Sequence, residues 1–319
     1  RNRLPHHRPV HGRVSAPKRL AVLEEVEPGW RDKFARVLGV CRTSYYRTSS
    51  KQATEDVKAV TALLAVHAEH PFYGVRRLAL HLGWSQKKTR RIRTLAGVVI
   101  PTLSKKRRSS SAPAEIAAAP NALKQFAVFR NEARPGAGQS YRNMTNAGAW
   151  VQDFTHLRFR GEEHYLAVVL DLKTRQVVGW RLGTRHTSEL TLAAVLDALS
   201  KHPSPAILHS GQGSEYLSYK HQELCQRMEI TLSCSKRASP WQNGFMERWF
   251  GNFKLELGNL NRHGDLARFH EAVAMAVFYY NHERIHLSLK MSPTAYAARL
   301  KEQNQRSKSL ERVLQETGA

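Results

Sequence analysis

The spacing of apolar positions changes near residue 150, from a helical period to short apolar runs. In the first part, an amphipathic helix is predicted after the His70-Pro71 break. Its apolar positions are Val75, Leu78, Ala79 and Leu82. Gly83 then stops the helix, and Ser85 can cap a second helix over residues 86–96, with Ile92 and Leu95 facing inward. Two short helices across a glycine turn predict a helix-turn-helix module.

After residue 150, apolar runs bounded by turn residues predict five strands, over residues 150–157, 164–172, 176–182, 206–209 and 230–235. A helix capped by Thr187 is predicted to bury a stripe of Leu192, Val195, Leu196 and Leu199. Two more helices are predicted over residues 219–228 and 243–257. The inner face of the last one carries Met246, Trp249, Phe250, Phe253 and Leu257. This order predicts an α/β fold in which helices flank a mixed five-stranded sheet.

Composition and patterning together predict five segments. They are a basic tail and helical lead-in (1–53), the all-α helix-turn-helix module (54–100), a basic flexible linker (101–140), the α/β core (141–300) and a C-terminal helical tail (301–319).

The net charge of +24 and the pI near 10.4 indicate a polyanionic partner. Residues 1–140 hold 27 basic and 9 acidic side chains, whereas residues 141–319 hold 23 and 17. Charge alone leaves open a ribosome-like protein or a merely basic surface. The second helix of the module and the linker supply the candidate DNA-binding residues, which are Lys87, Lys88, Arg90, Arg91, Arg93, Lys105, Lys106, Arg107 and Arg108. A lone basic helix is more often a solvated face, but turn, cap and charge together favour double-stranded DNA.

Three scattered cysteines, Cys41, Cys225 and Cys234, form no C-x-x-C pair, which is typical of a reducing compartment. No apolar run approaches the length of a membrane span, so no membrane partner is expected. These features predict a cytoplasmic protein.

Two acids occupy matching places in the predicted core. Asp153 lies on the first strand, and Glu247 lies on the helix after the fifth strand. Position 211, separated from Glu247 by 35 intervening residues, lies just past the end of the fourth strand and is a glycine. If strands one and four are adjacent, the three positions converge. Carboxylates gathered in this way hold Mg²⁺ or Mn²⁺ for phosphodiester chemistry, and Gly211 stands where a second aspartate would complete the trio.

The chain resembles insertion-sequence transposases of the retroviral-integrase (DDE) superfamily, especially the second-reading-frame type. The motifs that carry the resemblance are His70-Pro-Phe-Tyr-Gly-Val-Arg-Arg77, Asp153-Phe-Thr155, Tyr165-Leu-Ala-Val-Val-Leu-Asp171, Val178-Gly-Trp180, His209-Ser-x-Gln-Gly-Ser-Glu-Tyr216, Ser239-Pro-Trp-Gln-Asn-Gly-Phe-Met-Glu247 and Tyr280-Asn-His-Glu-Arg-Ile-His286. The resemblance implies an RNase H-like fold, metal-dependent cleavage of element ends and joining of a 3′ hydroxyl to target DNA.

By the same resemblance, Asp153 would bridge two Mg²⁺ or Mn²⁺ ions and Glu247 would complete the site. Lys254 would lie near DNA, although it could also be an exposed lysine that only increases solubility. Arg284 and His286 would have packing roles. Pairing of two element ends implies a homo-oligomer on DNA, and an upstream-frame transposase segment is a possible further partner.

Gly211 departs from the family, which has Asp at this place. Glycine offers no oxygen ligand, so we expect a weakened metal site in which DNA binding survives and strand transfer is lost or reduced. Glu215 is expected to point elsewhere, because it lies four residues further on. A decayed element, an engineered inactivation and a catalytically inactive DNA-binding regulator all remain open. A hydrolase of RNA–DNA hybrids is another class, whereas a basic structural protein would leave the aligned acids unexplained.

Overall fold

The computed structural model of the chain describes residues 22–23, 25–41, 50–101, 119–126, 128–129, 139–140, 148–235 and 243–317. The chain divides into two compact units, Arg1–Pro71 with His81–Val99 and Phe72–Leu80 with Ile100–Ala319. The first 20 residues and most of the predicted linker lie outside the described residues. Within the described ranges, no helix is long and apolar enough to cross a membrane.

The first unit is helical. It contains α1 (Arg31–Val37), α2 (Ser50–Glu69), the end of α3 (Val75–Leu82) and α4 (Gln86–Leu95). Gly83 has a φ of +65° in the turn before α4, a conformation that glycine adopts without steric cost. The Ser85 hydroxyl accepts a hydrogen bond from the backbone N–H of Lys88 at 3.2 Å, so it caps α4 as predicted.

One side of α4 packs against α2. Ile92 is fully buried against Ala59 and Leu63, as the apolar pattern predicts. Leu95 was expected inside as well, but its side chain is 58% exposed. The reason is its place at the last residue of α4, where Ala96 and Val98 of the following turn pack against the cluster instead.

The second unit takes Phe72–Leu80 out of the predicted helix-turn-helix segment. The Tyr73 hydroxyl accepts the backbone N–H of Ile285 at 2.8 Å, and Arg77 Nε donates to the carbonyl of the same residue at 2.9 Å. The backbone N–H and the carbonyl of Ile285 therefore both have side-chain partners, Tyr73 just before α3 and Arg77 within it. The motif over residues 70–77 thus contacts the motif over residues 280–286.

The strands of the second unit are β1 (Val128–Phe129), β2 (Gln139–Ser140), β3 (Ala149–Phe159), β4 (Glu162–Asp171), β5 (Val177–Gly183), β6 (Ile207–Ser210) and β7 (Thr231–Cys234). The first two form a small antiparallel pair. The other five form one sheet in the order β5-β4-β3-β6-β7. β4 is antiparallel to β3 and β5, whereas β6 is parallel to β3 and β7. This confirms the predicted mixed, RNase H-like sheet.

Five helices complete the unit: α5 (Ser188–Leu199), α6 (Tyr219–Arg227), α7 (Gly244–Leu257), α8 (Leu266–His282) and α9 (Pro293–Thr317). Residues of α7 and α8 form one core with Val151 and Leu157 of β3, and residues of α5 and α6 form another with Trp150. Each face of the sheet is thus covered by helices. The boundary predicted at residue 300 falls inside α9.

Helix α5 buries only part of the predicted apolar stripe, since Val195 is buried and Leu199 packs against the core, and small residues make up the rest of the contact with the sheet. Leu196 is 48% exposed, while Ala194, Val195 and Ala198 are buried. The cause is a close approach at Gly179 of β5, where a Cβ would lie 2.3 Å from the carbonyl oxygen of Ala194. Only glycine leaves room for the helix backbone here, which explains its place in the Val178-Gly-Trp180 motif.

Candidate active site

Asp153 lies on β3, the central strand of the sheet, with strands hydrogen-bonded on both sides. Because side chains alternate along a strand, Asp153 shares the face of Val151 and Leu157, which α7 covers. Its Oδ1 accepts the backbone N–H of Phe154 at 2.9 Å and the hydroxyl of Tyr216 at 3.4 Å. Two donors therefore orient one oxygen of a half-buried carboxylate.

Burial raises the pKa of Asp153 to about 6. The two hydrogen bonds to Oδ1 oppose this shift, and the negative charges of Glu215 and Glu247 add to it. Burial together with the charge of Asp153 also raises the pKa of the Tyr216 hydroxyl far above its usual range, so Tyr216 stays protonated and donates. Asp153 therefore lies among negative charges, in surroundings that a cation would stabilise.

Position 211 directly follows β6, the strand that pairs in parallel with β3. In the parallel ladder Ala149 pairs with Ile207 and Val151 with His209, so the same register, continued by two residues, sets Asp153 beside Gly211. Adjacent strands are about 4.8 Å apart, and β6 has just ended at Ser210. This register is consistent with the convergence that the sequence predicts for the two positions.

Gly211 is not required by its surroundings. A Cβ built at this residue meets no atom within 4 Å, and its φ lies outside the left-handed region that favours glycine. A Cβ at Gly179, in contrast, would clash with the backbone of α5. The backbone at position 211 would therefore accept an aspartate without rearrangement.

The end of β6 is held by a buried histidine. His209 Nδ1 lies 2.9 Å from Ser233 Oγ, and Nε2 lies 2.8 Å from Ser235 Oγ. Burial lowers the pKa of His209 to about 4, so the ring is neutral at physiological pH. Ser233 Oγ also accepts the N–H of Ala122 at 2.9 Å, and in the neutral ring one nitrogen donates to its serine while the other accepts. This chain of bonds fixes the strand end that precedes residue 211.

Glu247 lies half-buried in the first turn of α7. The helix is oriented by its buried aromatic face, as the sequence predicts, and its start is tied to β3 by Asn243. Asn243 Nδ2 donates to the carbonyl of Gln152 at 3.4 Å, next to Asp153 in the chain. These contacts bring the N-terminus of α7, with its favourable dipole for a carboxylate, to the side of Asp153.

The carboxylate of Glu215, which is expected from the sequence to point away from the site, lies beside Gly213. A Cβ at Gly213 would lie 2.3 Å from Glu215 Oε1 and 2.7 Å from Oε2, so the carboxylate folds back over Gly213. The reason is a tight turn in which the N–H of Tyr216 donates to the carbonyl of Gly213 at 3.1 Å. Glu215 therefore points towards the start of the loop, and its charge acts on Asp153.

The donor set suits a hard divalent cation, because it consists of carboxylates without cysteine or histidine. As the side chains stand, no three His, Cys, Asp or Glu residues in the described part of the chain are close enough to hold one ion. The fit therefore rests on Asp153 and Glu247, beside an open position at 211 that a carboxylate could fill.

Four of the predicted DNA-binding residues on α4 are exposed: Lys87, Lys88, Arg90 and Arg91. Arg93 is half-buried. Arg91 forms a two-pronged ion pair with Asp56 of α2, one bond being 2.7 Å long, and Lys88 lies over the ring of Trp84. The predicted basic run of Lys105, Lys106, Arg107 and Arg108 lies outside the described residues.

The two basic residues considered further along the chain have different surroundings. Lys254 is exposed on α7, two turns beyond Glu247. Arg284 is buried and bonds to Glu256 at 2.7 Å, in line with the packing role expected for it. Sequence reasoning missed the roles of Tyr216 and His209, although both lie within the quoted motif around residue 211.

Parts of the chain are similar in sequence to known proteins. Two family models described as "Integrase core domain" match residues 145–240 and 228–293. The transposase for insertion sequence element IS904 of Lactococcus lactis is 30% identical over 172 residues, which is 50% of this chain and 68% of that protein. The chain belongs to the insertion-sequence transposases. This membership confirms the resemblance drawn from the motifs.

Other members of the transposase family align over more of the chain. InsK, named for insertion sequence element IS150 of Escherichia coli K12, is 27% identical over 278 residues, or 83% of this chain and 92% of that protein. Among solved structures, the catalytic core of HTLV-2 integrase in complex with magnesium is 22% identical. It covers 46% of this chain and 94% of its own, with a TM-score of 0.41.

Proposed function

We propose that this transposase-family chain binds double-stranded DNA, both element ends and target, around a cation site formed by Asp153 and Glu247. In the proposed reaction, DNA is cleaved at element ends and the 3′ hydroxyls are joined to target DNA. The observation that carries the proposal is the ladder register that sets Asp153 beside position 211. The Asn243–Gln152 bond supports it by tying the helix of Glu247 to the same place.

Each residue has a distinct task in this proposal. Asp153 would hold Mg²⁺ or Mn²⁺ with Oδ2, since Oδ1 accepts two hydrogen bonds, and Glu247 would add a carboxylate from the start of α7. The bound ions would activate the attacking oxygen and stabilise the leaving oxygen. Tyr216 would keep the Asp153 carboxylate in one orientation.

Gly211 would impair this chemistry. The missing side chain removes one oxygen ligand and one negative charge from the site, which weakens cation binding. The fold does not compensate by closing the space, since nothing lies within 4 Å of a Cβ at this residue. We therefore expect weak cation binding and slow strand transfer, with DNA binding retained.

DNA binding would depend on the positive charge of the chain and on α4. A net charge of +24 supports affinity for phosphates through counterion release. Lys87 and Arg90 are exposed on α4, the second helix of the predicted module. Two element ends must be paired, so a homo-oligomer on DNA is expected, with an upstream-frame transposase segment as a further partner.

A catalytically inactive DNA-binding regulator is the second candidate, and Gly211 itself favours it. The two functions predict the same DNA binding but a different response to Gly211→Asp. With Mg²⁺ and DNA carrying the terminal repeats of the source element, an impaired transposase gains cleavage and joining when the aspartate is restored. A regulator that lacks further parts of the catalytic site gains neither cleavage nor joining. Binding of the same DNA in EDTA tests the shared part, and failure to bind overturns both.

A further inference from the structure

The loop after β6 has two glycines with different surroundings. Gly211 faces open space, whereas Gly213 is covered by the carboxylate of Glu215, which lies where a Cβ would be. The Ser214 hydroxyl lies 3.5 Å from Glu215 Oε2 and can donate to it. Gly213 thus makes room for an acidic side chain that returns towards the beginning of the loop.

The turn that returns Glu215 also delivers Tyr216 to Asp153. The Tyr216 hydroxyl lies 3.4 Å from Asp153 Oδ1, and Glu215 is its neighbour in the chain. The charge of Glu215 contributes to raising the pKa of both Asp153 and Tyr216, after burial in each case. At Asp153 the charge of Glu215 acts in the same direction as the charge of Glu247. Glu215 is therefore an electrostatic neighbour of the candidate site, not a remote surface acid.

We propose that Glu215 supplies the third carboxylate of the cation site, in place of the aspartate that is absent at position 211. The proposal rests on the proposed function for the identity of the site. The side chains as they stand do not enclose an ion, so Glu215 has to swing towards Asp153 when the cation arrives. Its three side-chain torsions permit this movement.

The first test measures Mn²⁺ affinity from the electron paramagnetic resonance of free Mn²⁺, without DNA and without an activity readout. We expect Glu215→Gln to weaken binding by at least about tenfold, because removal of a ligand charge lowers affinity. Glu223→Gln, on the exposed face of α6, is the matched control and should leave the affinity within about twofold of the parent. Equal effects of the two substitutions would overturn the proposal.

A double-mutant cycle separates ligation from a general loss of charge. With Gly211→Asp present, the restored aspartate should fill the place of the third ligand, so adding Glu215→Gln should then change the Mn²⁺ affinity by less than about threefold. The same tenfold loss in both backgrounds would mean that Glu215 acts only through its charge, and the proposal would be wrong.

A second pair of variants moves the carboxylate without removing its charge. Gly213→Ala places a methyl group where the Glu215 carboxylate lies, whereas Gly211→Ala adds the same group in open space. We expect Gly213→Ala to weaken Mn²⁺ binding and Gly211→Ala to leave it unchanged. The reverse order, or no difference, would count against the role of Glu215. Loss of DNA binding in EDTA would instead overturn the proposed function, while the Mn²⁺ measurements would still decide this inference.

Discussion

Asp153 lies half-buried on the central strand, and its pKa of about 6 has a consequence for stability. In the unfolded chain an aspartate titrates near about 3.9. Between these values the folded protein binds the proton more tightly, so the free energy of unfolding falls as the pH rises from about 4 to about 6. Above that range the carboxylate is ionised in both states, and the loss of stability is complete.

Replacement of Asp153 by asparagine should therefore stabilise the fold at neutral pH. We expect Asp153→Asn to raise the free energy of unfolding by about 1 to 2 kcal/mol at pH 7.5, less than the full pKa difference because the group keeps some solvent contact. The gain should disappear near pH 4. Urea unfolding at both pH values measures it, with Glu223→Gln as a control that should show no gain. A gain that persists at pH 4 would rule out the titration of Asp153 as its cause.

For single residues, the sequence predicts where a residue lies in the fold better than it predicts where its side chain points. Asp153, Gly211 and Glu247 could be predicted because strand order and helix position fix where each residue lies. The direction of Glu215 could not, because it depends on a turn closed by Gly213 and Tyr216. The same holds for the orienting bond from Tyr216, which requires the register of two strands and the path of the loop.

Among the elements, α5 shows where pattern and packing disagree. The apolar pattern predicts the burial of Val195 correctly, but the close approach at Gly179 requires alanines beside it, and Leu196 of the predicted stripe is exposed. Conversely, the inner face of α7 was predicted correctly, since its large apolar residues pack at helical spacing on an ordinary sheet surface. Sequence patterns thus locate the elements, while the distance between them is set by residues on both partners.

Gly179 should be one of the least replaceable residues of the core. In Gly179→Ala the new Cβ would lie 2.3 Å from the carbonyl oxygen of Ala194 and 2.6 Å from the N atom of Ala198, so helix and strand must separate. We expect a loss of more than about 2 kcal/mol in the free energy of unfolding. Gly211→Ala is the matched control and should change stability by less than about 0.5 kcal/mol. Similar melting temperatures for the two variants would show that the packing of α5 on β5 is looser than described.

Helix α4 gives a prediction about DNA. We expect the double substitution Lys87→Ala and Arg90→Ala to weaken duplex binding and to reduce the slope of log affinity against log salt by about 2. Arg91→Ala should change the slope less, because its guanidinium already pairs with Asp56, but it should lower the stability of the first unit. Fluorescence anisotropy across a salt series measures the slopes. An unchanged slope in the double variant would place the DNA contact away from α4.

For the whole molecule, charge and fold are separate arguments for the proposed DNA partner. The excess of basic residues is concentrated in the first 140 positions, whereas the acids of the candidate site lie in the second unit, Asp153 on β3 and Glu247 on α7. Sequence patterns predicted the number of strands in this sheet and their order along the chain, because each strand is a short apolar run bounded by turn residues. They did not predict that Phe72–Leu80 belongs to the second unit, since this depends on two side-chain bonds to Ile285, about 210 residues away in the chain.

The most direct test of the account compares this chain with its Gly211→Asp variant in Mg²⁺-dependent cleavage and 3′-end joining of element-end DNA. Both proteins should bind the DNA equally in EDTA, because position 211 lies outside the basic surface of α4. In Mg²⁺ the variant should act at least about tenfold faster, since it regains a carboxylate ligand beside Asp153. Equal rates would contradict the account, because they would show that the open position at 211 does not limit the chemistry.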